Sequence, residues 1–165
     1  MGAVAIRRAT VDDGELVARL LRDFNAEFDT PAPPAEVLAA RASSRIVNGA
    51  VTVLLAGNDP SPSDGPGADG LALTVQRPSI WYSGPVVLLE ELFVYPHLRG
   101  RGIGAALVQR VLADAESIGA GMVEINVDEG DADALRFYQR EGFTLTEPGQ
   151  TERAFYVWRE LEPPT

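Results

Sequence analysis

Apolar residues recur along this chain at two periods, and the switches between them mark out the elements. Residues 3–9, AVAIRRA, alternate like a short opening strand. Leu16, Val17, Leu20, Leu21, Phe24 and Phe28 then recur at helical spacing. Thr10 with Asp13 three residues later resembles a capping box at the start of that helix. The sequence PAPP at 31–34 breaks it. A weaker helix is predicted over 35–47, with Val37, Leu38, Ile46 and Val47 as its apolar members. AVTVLLAG at 50–57 and GLALTVQR at 70–77 read as two strands of a hairpin. Between them, NDPSPSDGPGADG is too rich in Gly, Pro, Ser and Asp to pack. SIWYSG at 79–84 turns the chain, and PVVLLEELFVYP at 85–96 is a long strand interrupted by two acids.

The pattern returns to helical spacing at Leu107, Val108, Val111, Leu112, Ala115 and Ile118, and Gly119 stops that helix. GMVEINV at 121–127 is a strand, and DADALRFYQR at 131–140 is a short amphipathic helix. GFTLTE at 142–147 and ERAFYVWREL at 152–161 alternate like two closing strands, with a turn at Pro148–Gly149. The order is β-α-α-β-β-β-α-β-α-β-β. Hairpin-linked strands run antiparallel, whereas the strands at 85–96 and 121–127, joined through a helix, run parallel. The expected architecture is a single α/β domain over 1–165. Its mixed, mostly antiparallel sheet contains one parallel strand pair and is flanked by helices.

Composition removes several function classes. Acidic residues outnumber basic ones, 24 to 14, for a net charge of −10, which argues against nucleic acid as a partner. The same surplus is compatible with a cationic partner. With no cysteine there is no disulfide, Cys-based zinc site or Cys nucleophile, and a reducing cytoplasm is the natural location. His97 is the single histidine; in the turn before the glycines it reads as solvated, and no metal site is expected. The N-terminus lacks the apolar core of a signal peptide, and no apolar run approaches the ~20 residues that span a bilayer, so no membrane partner is expected.

The chemistry concentrates at HLRGRGIGAAL, residues 97–107. Gly100, Gly102 and Gly104 lack a Cβ and stand where a helix begins. Free backbone N–H groups at a helix N-terminus attract anions, and Arg99 and Arg101 add charge. A tight strand-to-helix turn would also use such glycines. A P-loop is excluded, because Gly-Lys-Ser/Thr is missing. A dinucleotide loop is a rival, since Gly100, Gly102 and Ala105 fit its spacing and Asp128 closes the next strand. Against it stand the antiparallel pattern upstream and the acids Glu90 and Glu91 in the preceding strand, where a buried parallel strand would be apolar.

LEELFVYPHLRGRGIGAALV, residues 89–108, resembles the acetyl-CoA-binding segment of the GNAT superfamily of N-acetyltransferases. Its signature, Arg/Gln-x-x-Gly-x-Gly/Ala, is met by Arg99, Gly102 and Gly104. DADALRFYQREGF at 131–143 resembles the family's second block through Ala134, Phe137, Tyr138, Gly142 and Phe143, with Asp131 where asparagine is usual. The resemblance implies the GNAT-type acyl-CoA N-acyltransferase fold, with acetyl-CoA (CoA) as cofactor. It assigns Leu92, Phe93 and Val94 to the pantetheine arm. The pyrophosphate falls to Arg99, Gly100, Arg101, Gly102, Ile103, Gly104 and Ala105, and Asp131 and Tyr138 lie beside the cofactor.

Acetyl transfer requires an amine that has lost its proton and a leaving thiolate that receives one. The base candidates are Glu90 and Glu91, with water as the other route. Neighbours on a strand face opposite ways unless a bulge intervenes. Glu90 is preferred because its spacing to Arg99 is similar to that in polyamine acetyltransferases; Glu91 then binds a cationic acceptor. Tyr138, a phenol protonated at neutral pH, stands where the family places its acid. Phe24, Phe28, Trp81 and Tyr82 are the remaining acceptor-site candidates, although Trp81 and Tyr82 equally suit a turn anchored by packing. The expected activity is acetyl transfer to a primary amine within a ternary complex. The expected acceptor is a small cation: a polyamine, an aminoglycoside or an amino acid. Three alternatives remain: a non-catalytic acyl-CoA sensor, an acetyltransferase of protein lysine or N-terminal amines, and a nucleotide-dependent oxidoreductase. The resemblance also implies a possible homodimer.

Overall fold

The computed structural model describes residues 4–57 and 67–161. Part of the predicted opening strand, and residues 58–66 of the Gly/Pro-rich stretch at 58–70, lie outside the described residues. Five strands form one sheet in the order β1-β2-β3-β4-β5, with β1 at Ile6–Arg8, β2 at Thr52–Ala56, β3 at Gly70–Arg77, β4 at Val86–Val94 and β5 at Met122–Ile125. β1 through β4 pair antiparallel, and β4 and β5 pair parallel, as the hairpin and crossover spacings require. This is not the doubly wound parallel sheet of a dinucleotide domain.

Helices cover both faces. α1 (Gly14–Glu27) and α2 (Ala35–Val47) pack on one side. There Leu16, Val17 and Leu20 meet Val53, Leu55, Leu71, Leu73 and Phe93. α3 (Ile103–Ser117) and α4 (Ala132–Arg140) pack on the other. There Leu107, Val108, Val111 and Tyr138 meet Leu54, Ala72, Leu89 and Val94. Burying one such side chain contributes roughly 1.5–3 kcal/mol.

The entry to α1 is fixed as its sequence implied. Thr10 and Asp13 form the capping box, through a 3-10 turn at Val11–Asp13. The Asp13 carboxylate also takes a fork from Arg7 at 2.8 and 2.7 Å. That guanidinium, with the Thr10 amide and hydroxyl, overcomes the cost of burial and holds Asp13 down at about 2.

Two predicted strands are absent. Residues 142–147 and 152–161 form no ladder, and the sheet ends at β5. Phe143 packs against the α4 face of the core, but the apolar side chains of 152–161 stand in solvent, with Phe155 at 77% and Trp158 at 78% exposure. The alternation gives these segments the capacity to pair, but within the chain neither is laddered onto the open edge of β5. The turn between them does form, with Gly149 at φ 79° and the Gln150 amide donating to the Glu147 carbonyl.

Candidate active site

The site begins where two strands part. β4 pairs with β5 only from Val86 to Leu89, yet it stays paired with β3 as far as Val94. Beyond Leu89, the β5-facing main chain of Glu90 to Val94 has no strand beside it. A groove of about 2060 Å³ opens there, lined by β4, the glycine-rich loop, β5 and its exit, α4 and the end of α1.

A bulge sets the direction of the acids. Leu73 pairs with Glu91 and Thr74 with Leu89, leaving Glu90 as the extra residue on β4. One extra residue reverses the faces that follow. Leu89 therefore packs toward α3, whereas Phe93, four positions on, packs toward α1 and α2. Glu91 shares a face with its partner Leu73, which is the α1 face. Without the bulge that direction would have fallen to Glu90, which is exposed here. Burial, and then the charge of Glu90, raise the Glu91 carboxyl from its ordinary 4.5 to about 7.

Tyr138 comes from the opposite face. It is 7% exposed in α4, and its ring packs edge-on against Phe137 and Phe143. Burial raises its phenol well above the usual 10, and the charges of Asp131 and Glu91 raise it further, so it stays protonated. Asp131 caps α4, its Oδ1 accepting from the Ala134 amide at 2.9 Å; in this role it substitutes fully for asparagine.

The glycine-rich loop is built by its backbone. Gly100 (φ 75°) and Gly102 (φ 83°) lie in the left-handed region, which costs an L-residue roughly 1–2 kcal/mol. Gly102 is the N-cap of α3, so the amides of Ile103, Gly104 and Ala105 form a first turn with no partner inside the helix. Gly104 needs no special φ; a Cβ there would lie 3.5 Å from Phe137.

The groove gathers Glu90, Glu91, Leu92, Val94, Asp131 and Tyr138 with Arg99, Gly100, Gly102, Ile103, Gly104 and Ala105. Phe24, Phe28 and Tyr82 line its far side. Three expected residues are placed elsewhere. Phe93 is buried at 2% and stacks on Phe24. Arg101 is exposed beside the loop, outside the groove lining. Trp81 is 91% exposed at the tip of the β3–β4 connection, likewise outside it. Asp23 and Glu27 were not anticipated. Their partners, Tyr95 and Arg99, lie 72 residues downstream, and no local pattern announces such pairs.

The Acetyltransferase (GNAT) family model matches residues 68–143, the segment that builds this groove. A solved structure from Arthrobacter sp. FB24, described as an acetyltransferase, superposes with a TM-score of 0.86 and 44% identity, covering 98% of each chain. The chain belongs to the GNAT family. An uncharacterized N-acetyltransferase of Methanocaldococcus jannaschii is 41% identical over 58 residues, 35% of this chain and 26% of that protein. The chain thus matches only about a quarter of that relative's length. The thialysine N-epsilon-acetyltransferase of Mus musculus is 28% identical over 143 residues, 84% of this chain and 83% of its own. Among the described residues, no helix is long and apolar enough to cross a membrane.

Proposed function

We propose that this GNAT protein transfers an acetyl group from acetyl-CoA to a primary amine of a small cationic acceptor, directly, in a ternary complex. One observation carries the reading: the gap between β4 and β5 joins two faces of the sheet. The bulge aims Glu91 into the gap from the α1 side, and Tyr138 meets it from the α4 side.

The residues present fit the cofactor. The free amides at the start of α3 suit a pyrophosphate, and the unpaired main chain of β4 suits the amides of a pantetheine arm. Bound acetyl-CoA would supply the thioester, whose C–S bond breaks as the new N–C bond forms. Glu91 accepts the proton of the acceptor ammonium, for which a carboxyl near 7 is well matched. Glu90, beside it, adds the negative charge that draws a cation into the mouth. Tyr138 holds its proton until a thiolate develops and then donates it. Phe24 and Phe28, which touch edge-on at 5.5 Å, form an apolar wall for the acceptor's carbon chain.

The test is thiol release from acetyl-CoA across a panel of thialysine, spermidine, an aminoglycoside, lysine and a lysine peptide. Turnover of at least one small diamine, well above the peptide, is expected. Acetyl-CoA binding with no turnover of any amine would instead favour a sensor. NAD(H) binding without CoA binding would overturn the reading.

A further inference from the structure

Arg99 carries the first position of the glycine-rich signature, yet its side chain is directed away from the loop's amides. Its Nε donates to the Val94 carbonyl at 3.0 Å. Its Nη1 and Nη2 form a fork on Glu27, at 2.7 and 2.6 Å. Glu27 is the last residue of α1, the helix whose final turn carries Phe24 and Phe28. Two further contacts join the same turn to the same stretch of chain. Phe24 stacks on Phe93 at 5.4 Å, and the Tyr95 hydroxyl donates to Asp23 at 2.6 Å. The end of α1 is thus pinned at three successive points on the path from β4 to the loop.

The Arg99 and Glu27 side chains are 47% and 24% exposed, and an ion pair so placed adds little to stability. Its geometry is the informative part. A planar fork on a carboxylate, with the third nitrogen on a strand-end carbonyl, fixes direction rather than strength.

We propose that Glu27 is a positioning residue: through Arg99 it makes the last turn of α1 and the cofactor loop one body, so that a CoA seated on the loop also sets the acceptor wall of Phe24 and Phe28. This rests on the assignment of the loop to CoA made above. By linkage, order imposed at the loop must then appear in α1.

Hydrogen exchange of the whole protein, with and without CoA, tests this without any acceptor. In the wild type, CoA is expected to slow exchange at residues 100–106 and also in the last turn of α1. In Glu27→Gln the loop protection stays and the α1 protection is lost; in Arg99→Gln the α1 protection is lost as well. CoA affinity in Glu27→Gln stays within about twofold, and the double variant is no worse than either single one, because the two residues act as a unit. For any amine that turns over, Glu27→Gln raises the acceptor KM about fivefold or more while kcat changes little. Both variants are expected to melt close to the wild type. Three results would overturn the proposal: α1 protection that survives in the variants, a wild type whose α1 ignores CoA, or CoA affinity that rises in Glu27→Gln. The last would mean that Glu27 competes with phosphate for the guanidinium. Absence of loop protection in the wild type would refute the cofactor assignment itself, and is read separately at 100–106.

Discussion

Residue identity at positions 90 and 91 is the same, and the environment alone separates them. Both are glutamates in one strand, but the bulge turns Glu91 inward, where burial pushes its carboxyl up to about 7. As a base it must be ionised, so kcat/KM is expected to rise with pH through about 7 and then level off. Tyr138 adds no falling limb in the neutral range, because burial holds its phenol above the ordinary tyrosine value of ~10. Glu91→Gln should remove the rising limb and lower the plateau by about 10² or more, whereas Glu90→Gln keeps the limb. The same burial has a stability sign. The folded Glu91 holds a proton between pH 4.5 and about 7 that the unfolded chain releases, so stability falls as pH rises across that window. Glu91→Gln should therefore be more stable than the wild type at pH 8, by on the order of 1–3 kcal/mol, and about equal to it near pH 4. Thermal melts at the two pH values check this. Equal melts at both would mean that the carboxyl is solvated.

Elements bounded by strong local chemistry were legible in advance, and the geometry between elements was not. The helix over 35–47 is fixed by the prolines before it and has the predicted limits. The capping box at Thr10 and the stop at Gly119 work as their residue types imply. The acid pair in β4 was visible as an interruption. The bulge was not, because it depends on the register against β3, and neither strand encodes that register alone. The preference for Glu90 follows from its spacing to Arg99, whereas the bulge brings Glu91 to the α1 face. The glycine-rich loop was legible as the turn that opens a helix, but its three glycines differ in what they do. Gly102→Ala places an L-residue in the left-handed region at the α3 N-cap. It should cost about 1 kcal/mol or more and weaken CoA binding. Gly104→Ala meets Phe137 at ordinary contact distance in a helical turn. It should leave CoA binding nearly unchanged and gain about 0.4–1 kcal/mol. Denaturation curves and calorimetry with CoA separate the two; parallel losses in both variants would contradict this division of labour.

At the scale of the whole molecule, two unsatisfied features face outward. β5 ends the sheet with only four residues, and nothing among the described residues pairs with its outer edge. Residues 152–161 carry a strand-like alternation, and Phe155, Tyr156, Val157, Trp158 and Leu161 are 66–87% exposed. Tyr156 and Trp158 stack on each other at 6.0 Å, as side chains on one face of an extended segment would. An open edge and an unpaired apolar strand are complementary, and both invite association. Buried aromatics remove roughly 150–250 Å² each. Three per chain, with Val157 and Leu161, would bring two copies within the roughly 1,200–2,000 Å² of a stable interface. A twofold pair, in which each copy lends this segment to the other, closes on itself and covers the β5 edge of both copies. The protein is therefore expected to behave as a homodimer in light scattering over about a hundredfold range of concentration. Phe155→Asp combined with Trp158→Arg should give a monomer with unchanged helix and sheet content, because neither side chain belongs to either core cluster. Arg153, Phe155, Tyr156 and Trp158 also border the groove, so the monomer should lose acceptor affinity before it loses CoA affinity. A wild type that stays monomeric throughout, with Trp158 fluorescing as if in water, would refute this pairing. The groove would then be complete within one chain.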